Sequence, residues 1–226
     1  IAITARRAEA LDNLANELNA NGARVLPIQC DVQDADQVDT AVSACHNTLG
    51  PIDIMIANAG IGMSAPGYKP LNQSFEQCLK TNVLGAVYAF NAVIPSMIER
   101  RSGQLVSISS LASYRGLPEA GPYSASKAAL STLTESLRLD LKKYKISVSL
   151  INPGYIVSPM TDRNDYMMPF IMSTETGVRK IVKAIRKKKA IYAFPFPLSI
   201  LVKSLRFWPI WLYDLCFSGR KNKKRS

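Results

Sequence analysis

Short apolar runs of strand length alternate with segments of helical periodicity along most of this 226-residue chain. Residues 1–5 read as a strand. Leu11, Leu14, Ala15 and Leu18 then recur at helical spacing over residues 8–20, and Asn21-Gly22 stops that helix. Further strands are expected at 24–28, 52–57, 104–109, 146–151 and 190–194. Helices are expected at 34–49, 73–100, 122–144 and 175–188. The strands are nearly all apolar, as a parallel sheet covered on both faces requires. Right-handed crossovers then give a single-domain α/β fold built on a doubly wound parallel sheet. Neither an internal repeat nor a linker interrupts the pattern.

Such sheets bind ligands beyond the carboxyl ends of their strands. The residues at those ends are Arg6, Asp31, Asn58, Ser109, Ser110, Pro153 and Gly154. All are polar or turn-forming, which suits a crevice rather than a core.

Composition removes several function classes. The four cysteines, Cys30, Cys45, Cys78 and Cys216, form no C-x-x-C pair, and His46 is the only histidine. No metal site is expected from that set. No G-x-S-x-G elbow exists to support a hydrolase. The thiols read as reduced cysteines of a cytoplasmic protein, with no secretory signal at the start. The net charge of +11 includes five basic residues in the tail 219–226. That run reads as a solvated terminus, and nucleic acid is not an expected partner.

Tyr123 and Lys127 are four residues apart near the start of a helix, so they share one face. A neighbouring ammonium favours a phenolate and draws its titration down toward neutral pH. Such a tyrosine can give a proton to a carbonyl oxygen or take one from an alcohol. Ser110, at the mouth of the adjoining strand, can hydrogen-bond the same oxygen and stabilise charge that builds there.

These residues stand in a wider set. Asn58-Ala59-Gly60 follows the middle strand, Asn82 lies in the next helix, and Ser110 precedes Tyr123 by thirteen residues. Tyr123-Ser124-Ala125-Ser126-Lys127 forms a Y-x-x-x-K, and Asn152-Pro153-Gly154 closes the following strand. In that order and spacing, residues 1–194 resemble the short-chain dehydrogenase/reductase family, with its Rossmann-like fold. The resemblance implies a nicotinamide-dependent oxidoreductase that interconverts a carbonyl and an alcohol. It implies that Lys127 also holds the nicotinamide ribose and that Asn82 supports a water linking Lys127 to solvent. It places Asp31 and Val32 at the adenine, and Asn58, Ala59 and Gly60 along the cofactor. Ser158 would stand near the carboxamide, and Pro153, Gly154 and Ile156 would also bind the cofactor. A homodimer or homotetramer, built through the helices bearing Asn82 and Tyr123–Lys127, is also implied.

In this fold an acid at the end of the second strand selects NAD, whereas an arginine there accommodates the extra phosphate of NADP. Strand 1–5 ends in Arg6-Arg7 with no acid before Glu9. NADP(H) is therefore expected in preference to NAD(H), with Arg6 the leading phosphate contact and Arg7 the second. The family's glycine-rich phosphate loop has no counterpart among these residues. It is expected on a strand, turn and helix preceding Ile1, whether in a longer polypeptide or not.

Loops 62–71, 115–120 and 155–172 carry Met63, Tyr68, Tyr155, Tyr166, Met167, Met168 and Phe170. They suggest an apolar small-molecule substrate such as a lipid, steroid or fatty-acyl carbonyl. Residues 195–226 form an apolar C-terminal extension and a basic tail, with Pro209 breaking any single helix. Two short amphipathic helices are expected, covering the cleft or a subunit interface. A peripheral membrane contact is the second reading of that segment. A non-catalytic cofactor sensor or membrane-surface scaffold on the same fold is the alternative for the whole chain; the intact Ser110, Tyr123 and Lys127 oppose it.

Overall fold

The computed structural model describes residues 1–164 and 166–218. The basic tail 219–226, named above, lies outside the described residues.

Six parallel strands alternate with helices: β1 (Ala2–Ala5), α1 (Ala8–Ala20), β2 (Leu26–Gln29), α2 (Ala35–Leu49) and β3 (Ile54–Ala57). Then come α3 (Asn72–Leu79), α4 (Gly85–Arg100), β4 (Gly103–Ile108), α5 (Gly121–Asp140), β5 (Ile146–Pro153), α6 (Thr174–Arg186) and β6 (Ile191–Phe194). Two short helices, α7 (Phe196–Ser204) and α8 (Ile210–Phe217), complete the described chain, as the break at Pro209 predicts.

The strands pair as β1–β2 and as β3–β4–β5–β6, every neighbour parallel. The doubly wound arrangement thus stands in two hydrogen-bonded sets, and among the described residues no ladder joins β1 to β3. Adjacent residues of β4 point to opposite faces. Leu105 enters a core with Phe90, Val93 and Met97 of α4, Leu130 of α5, and Ile146 and Val148 of β5. Val106 enters a second core with Ile151, Ala184 and Ile185 of α6, and Phe194 of β6. Helices therefore cover both faces, as the unbroken apolar strands require.

Helix packing ties the two strand sets together. Cys30, Val38 and Ala41 form a third core that reaches Tyr88 and Ala89 of α4. The loop after β2 touches α4 directly: a Cβ placed on Gly85 would sit 2.9 Å from Val32 Cγ2 and 3.1 Å from its carbonyl oxygen. Only glycine permits that approach.

The expected strand 52–57 is not buried throughout. Ile54 and Ile56 share one face and are 47% and 45% exposed, while Met55 and Ala57 pack on the α4 side. The expected strand 24–28 shifts to Leu26–Gln29, because Ala2 to Ala5 pair in register with Leu26 to Gln29. The single helix expected at 73–100 contains a π-turn, Lys80–Leu84, between α3 and α4. Asn72–Arg100 is long and apolar enough to cross a membrane. Its Phe90, Val93 and Met97 are buried in the core, so it is a core helix here.

Candidate active site

Three elements converge beyond the carboxyl end of β4. Ser110 leaves the strand in extended backbone, and its Oγ accepts from Ala112 N at 3.1 Å, capping the turn Leu111–Ser113. Gly121-Pro122 opens α5, proline being well suited to a first helical turn. Tyr123 and Lys127 follow on the first two turns, with Lys127 Nζ 5.9 Å from the centre of the Tyr123 ring. The π-turn sets Asn82 at the third corner, as such turns often do at functional sites.

Lys127 is 4% exposed and donates to the Ile108 carbonyl at 2.8 Å. Burial pushes its ammonium down to about 8. Tyr123 is also shifted, but upward. Desolvation raises its phenol, a hydrogen bond with the Ser110 hydroxyl opposes this, and Cys78 and Tyr155 raise it further. The expected lowering of Tyr123 by Lys127 is thus corrected. Desolvation is the largest influence, and the group that lowers the phenol is the Ser110 hydroxyl rather than Lys127.

Asn82, 1% exposed, acts as a brace. Its Oδ1 accepts from Ile61 N at 2.8 Å, and its Nδ2 donates to Ile61 O at 3.0 Å and to Ser126 Oγ at 2.9 Å. Ser126 in turn donates to the Tyr123 carbonyl at 2.8 Å. One side chain thus pins the loop after β3 to the start of α5. Sequence reasoning missed Ser126 in this role, although its position three residues after Tyr123 on one helix face carried the signal. It also missed Cys78, wholly buried on α3, whose thiol burial pushes up.

The remaining expected residues fall into separate groups. Gly60 lies beside Lys127 and Asn82: its Cβ, if present, would lie 3.2 Å from Lys127 Nζ and 3.3 Å from Asn82 Oδ1. Asn58 and Ala59 are exposed just before it. Arg6 and Asp31 meet at the ends of β1 and β2, 4.0 Å apart, while Arg7 stands exposed at the start of α1. Val32 packs on Gly85. Pro153 closes β5, and Gly154 N donates to Phe194 O at 2.7 Å. Ile156 bridges to Met172, and Ser158 is engaged with Thr161 in its own turn. Met160 reaches back toward the site, 3.2 Å from where a Gly62 Cβ would stand.

This arrangement fits a nicotinamide cofactor. A buried ammonium with one protein acceptor among the described residues has donors left for ribose hydroxyls. Gly60 leaves open the space beside it that a side chain would fill. Arginine side chains suited to phosphate lie along the same strand ends.

A family model described as short chain dehydrogenase matches residues 1–168. An uncharacterized oxidoreductase of Myxococcus xanthus is 38% identical over 209 residues, which are 92% of this chain and 83% of that protein. The crystal structure of a gluconate 5-dehydrogenase from Burkholderia cenocepacia, in complex with NADP and tartrate, is 29% identical. It matches with a TM-score of 0.68 over 71% of this chain and 63% of that one. A short chain dehydrogenase/reductase from Burkholderia phymatum, in complex with NAD, shares the fold with a TM-score of 0.83 at 20% identity, over 100% of this chain and 88% of that one.

Proposed function

Because the chain belongs to the short chain dehydrogenase family, we propose that it reduces a carbonyl compound with NADPH, and runs the reverse reaction on the alcohol, using Tyr123, Ser110 and Lys127. Alcohol and carbonyl oxidoreduction with a nicotinamide cofactor is the family's chemistry. The observation that carries the residue assignment is the convergence of the three side chains, one of them a buried ammonium, at one strand end.

When bound, the nicotinamide supplies a hydride to the carbonyl carbon or accepts one from the alcohol. The chain's own groups manage the oxygen. Ser110 donates to the carbonyl oxygen and holds it beside the phenol of Tyr123. As negative charge grows on that oxygen, Tyr123 delivers its proton there, giving the alcohol. The Ser110 hydrogen bond stabilises the phenolate left behind, and Lys127 offers its free protons to the ribose. Asn82 keeps the Gly60-Ile61 loop and α5 in register, so its role is positioning. In the alcohol-to-carbonyl direction each proton movement reverses.

For the cofactor we favour NADP(H), with Arg6 first and Arg7 second at the extra phosphate, and Asp31 and Val32 at the adenine. Asn58, Ala59, Gly60, Pro153, Gly154, Ile156 and Ser158 would line the rest. The exposed Tyr68, Met160, Tyr166, Met167 and Phe170 support an apolar substrate. Residues 1–194 form the catalytic unit in this reading and 195–226 an extension of it, in a homo-oligomeric assembly.

The test is NADPH oxidation on a panel of aldehydes and ketones by the protein and by Tyr123→Phe. The protein should turn over at least one carbonyl, and Tyr123→Phe should not. Equal turnover by both would overturn the assignment.

A further inference from the structure

The outer surface of α7 and α8 carries large apolar side chains with little packed over them. Phe196, Ile200 and Phe207 are spaced four and seven residues apart along α7 and the turn after it, and Ile210, Trp211 and Leu215 continue the surface on α8. Phe207 is 85% exposed, Phe196 74%, and Trp211 69%. The other side of α7 and the turn after it is seated on the fold, and α8 is held by polar contacts. Leu198 and Leu205 are buried, and a Cβ on Gly154 would lie 3.3 Å from Leu198 Cδ2. The Tyr213 hydroxyl donates to Gly116 O, and the Arg115 guanidinium stacks 4.3 Å from the Tyr213 ring centre. The fold therefore holds these apolar groups outward on a docked element.

Charge decides between occupants. Lys203 and Arg206 stand exposed among the apolar residues. Arg220, Lys221, Lys223, Lys224 and Arg225 follow α8 in sequence, against one acid, Asp214, in residues 196–226. A second copy of this chain, meeting the face by two-fold symmetry, would bring like charges together. An anionic bilayer accepts both features: the apolar side chains enter below the headgroups and the cations meet lipid phosphate and carboxylate. Tryptophan favours that boundary. The helices, of nine and eight residues, are far short of the roughly 20 needed to span.

We infer that α7 and α8 form an interfacial docking element that lays this protein on an anionic lipid surface. The element rests on the segment that follows Ser110 and on Gly154 beyond β5. Docking therefore sets the strand ends beside the lipid.

The test is flotation of the full chain with vesicles of phosphatidylcholine alone and of phosphatidylcholine mixed with phosphatidylserine, at low and high salt. Two double variants accompany it: Phe207→Glu with Trp211→Glu, and Lys203→Glu with Arg206→Glu. All four positions are exposed, and NADPH-dependent turnover of a water-soluble carbonyl should stay unchanged in both. The protein should float with the phosphatidylserine vesicles, and salt should weaken it. The aromatic variant should bind about tenfold more weakly or less on both vesicles. The charge variant should lose its preference for phosphatidylserine. Failure of the protein to float with either vesicle would overturn the inference, as would an aromatic variant that floats like the parent. So would a protein that ignores vesicles and changes oligomeric state in the aromatic variant, since the face would then join copies of the chain.

Discussion

Lys127 Nζ donates to the backbone carbonyl of Ile108 at 2.8 Å, so the ammonium on α5 is tied to the last residue of β4. That bond keeps a cation in a place where burial disfavours it. The native state holds Lys127 at about 8, whereas an unfolded lysine titrates near ~10.4. Between those values the unfolded chain carries more protons, so stability rises with pH across this window, and the full burial penalty is present below about 8. Lys127→Met should flatten that rise, by on the order of 3 kcal/mol over the window. Urea unfolding of both proteins from neutral to alkaline pH measures it. The raised phenol of Tyr123 lowers stability from about 10 upward, at the upper end of this window and equally in both proteins. Parallel curves would contradict the burial of a charged Lys127.

Tyr123 should be protonated throughout the neutral range, because burial raises its phenol above the ordinary value near 10. Carbonyl reduction should then be flat through neutral pH and fall only in alkali, while alcohol oxidation rises as the solution turns alkaline. Tyr123→Phe should cut kcat about a hundred- to ten-thousandfold with NADPH binding intact. Steady-state profiles in both directions, beside cofactor fluorescence titration, check this.

Much of this site was legible in the chain before any coordinates. The helical spacing of Tyr123 and Lys127 forces them onto one face, and the apolar strands force Ser110 to a sheet end, where the structure has them. The direction of the tyrosine shift was not legible. It depends on how much protein surrounds the hydroxyl, which spacing does not encode. Likewise nothing in residues 73–100 distinguishes a straight helix from one with a π-turn at Asn82. That turn accompanies the reach of the Asn82 side chain to Ile61, a contact between residues 21 apart. The half-exposed Ile54 and Ile56 were unreadable for a similar reason, since an apolar strand looks the same whether one face is covered or two.

Asn82→Ala should destabilise the fold and loosen the cofactor loop together. It removes the partners of Ile61 N and Ile61 O and of Ser126 Oγ. Leaving such groups unpaired costs about 1–3 kcal/mol each when buried. The two at Ile61 are part-buried and Ser126 Oγ, which is buried, keeps its bond to the Tyr123 carbonyl, so a total loss of about 2–4 kcal/mol is expected. A fall in Tm accompanied by a higher KM for NADPH, with kcat less affected, would match a positioning role. A change in kcat alone would not.

Gly85→Ala should be destabilising although it lies on a helix, where alanine normally helps. The added Cβ would meet Val32 at 2.9 Å and its carbonyl at 3.1 Å, and backbone cannot swing aside as a side-chain end can. Overpacking of this kind costs about 1–3 kcal/mol. Because Val32 follows Asp31, the variant should also weaken cofactor binding. Chemical denaturation and NADPH titration of the same preparation separate the two effects.

Arg6 is 4.0 Å from the Asp31 carboxylate, with its guanidinium largely open to solvent. An exposed pair at that distance is weak, so the guanidinium is free to turn to a phosphate. Asp31 works against this, since its negative charge would face the incoming phosphate. Arg6→Ala should lower NADPH affinity about tenfold or more, the scale of a charge-assisted contact, while NADH affinity changes little. Asp31→Asn keeps the shape and removes the charge, so it should raise NADPH affinity relative to NADH. Titrations of both cofactors against the three proteins decide the matter. Equal losses for NADPH and NADH in Arg6→Ala would mean that the arginine senses the shared pyrophosphate or adenine. NADH tighter than NADPH in the parent protein would mean that Asp31, not Arg6, sets the preference.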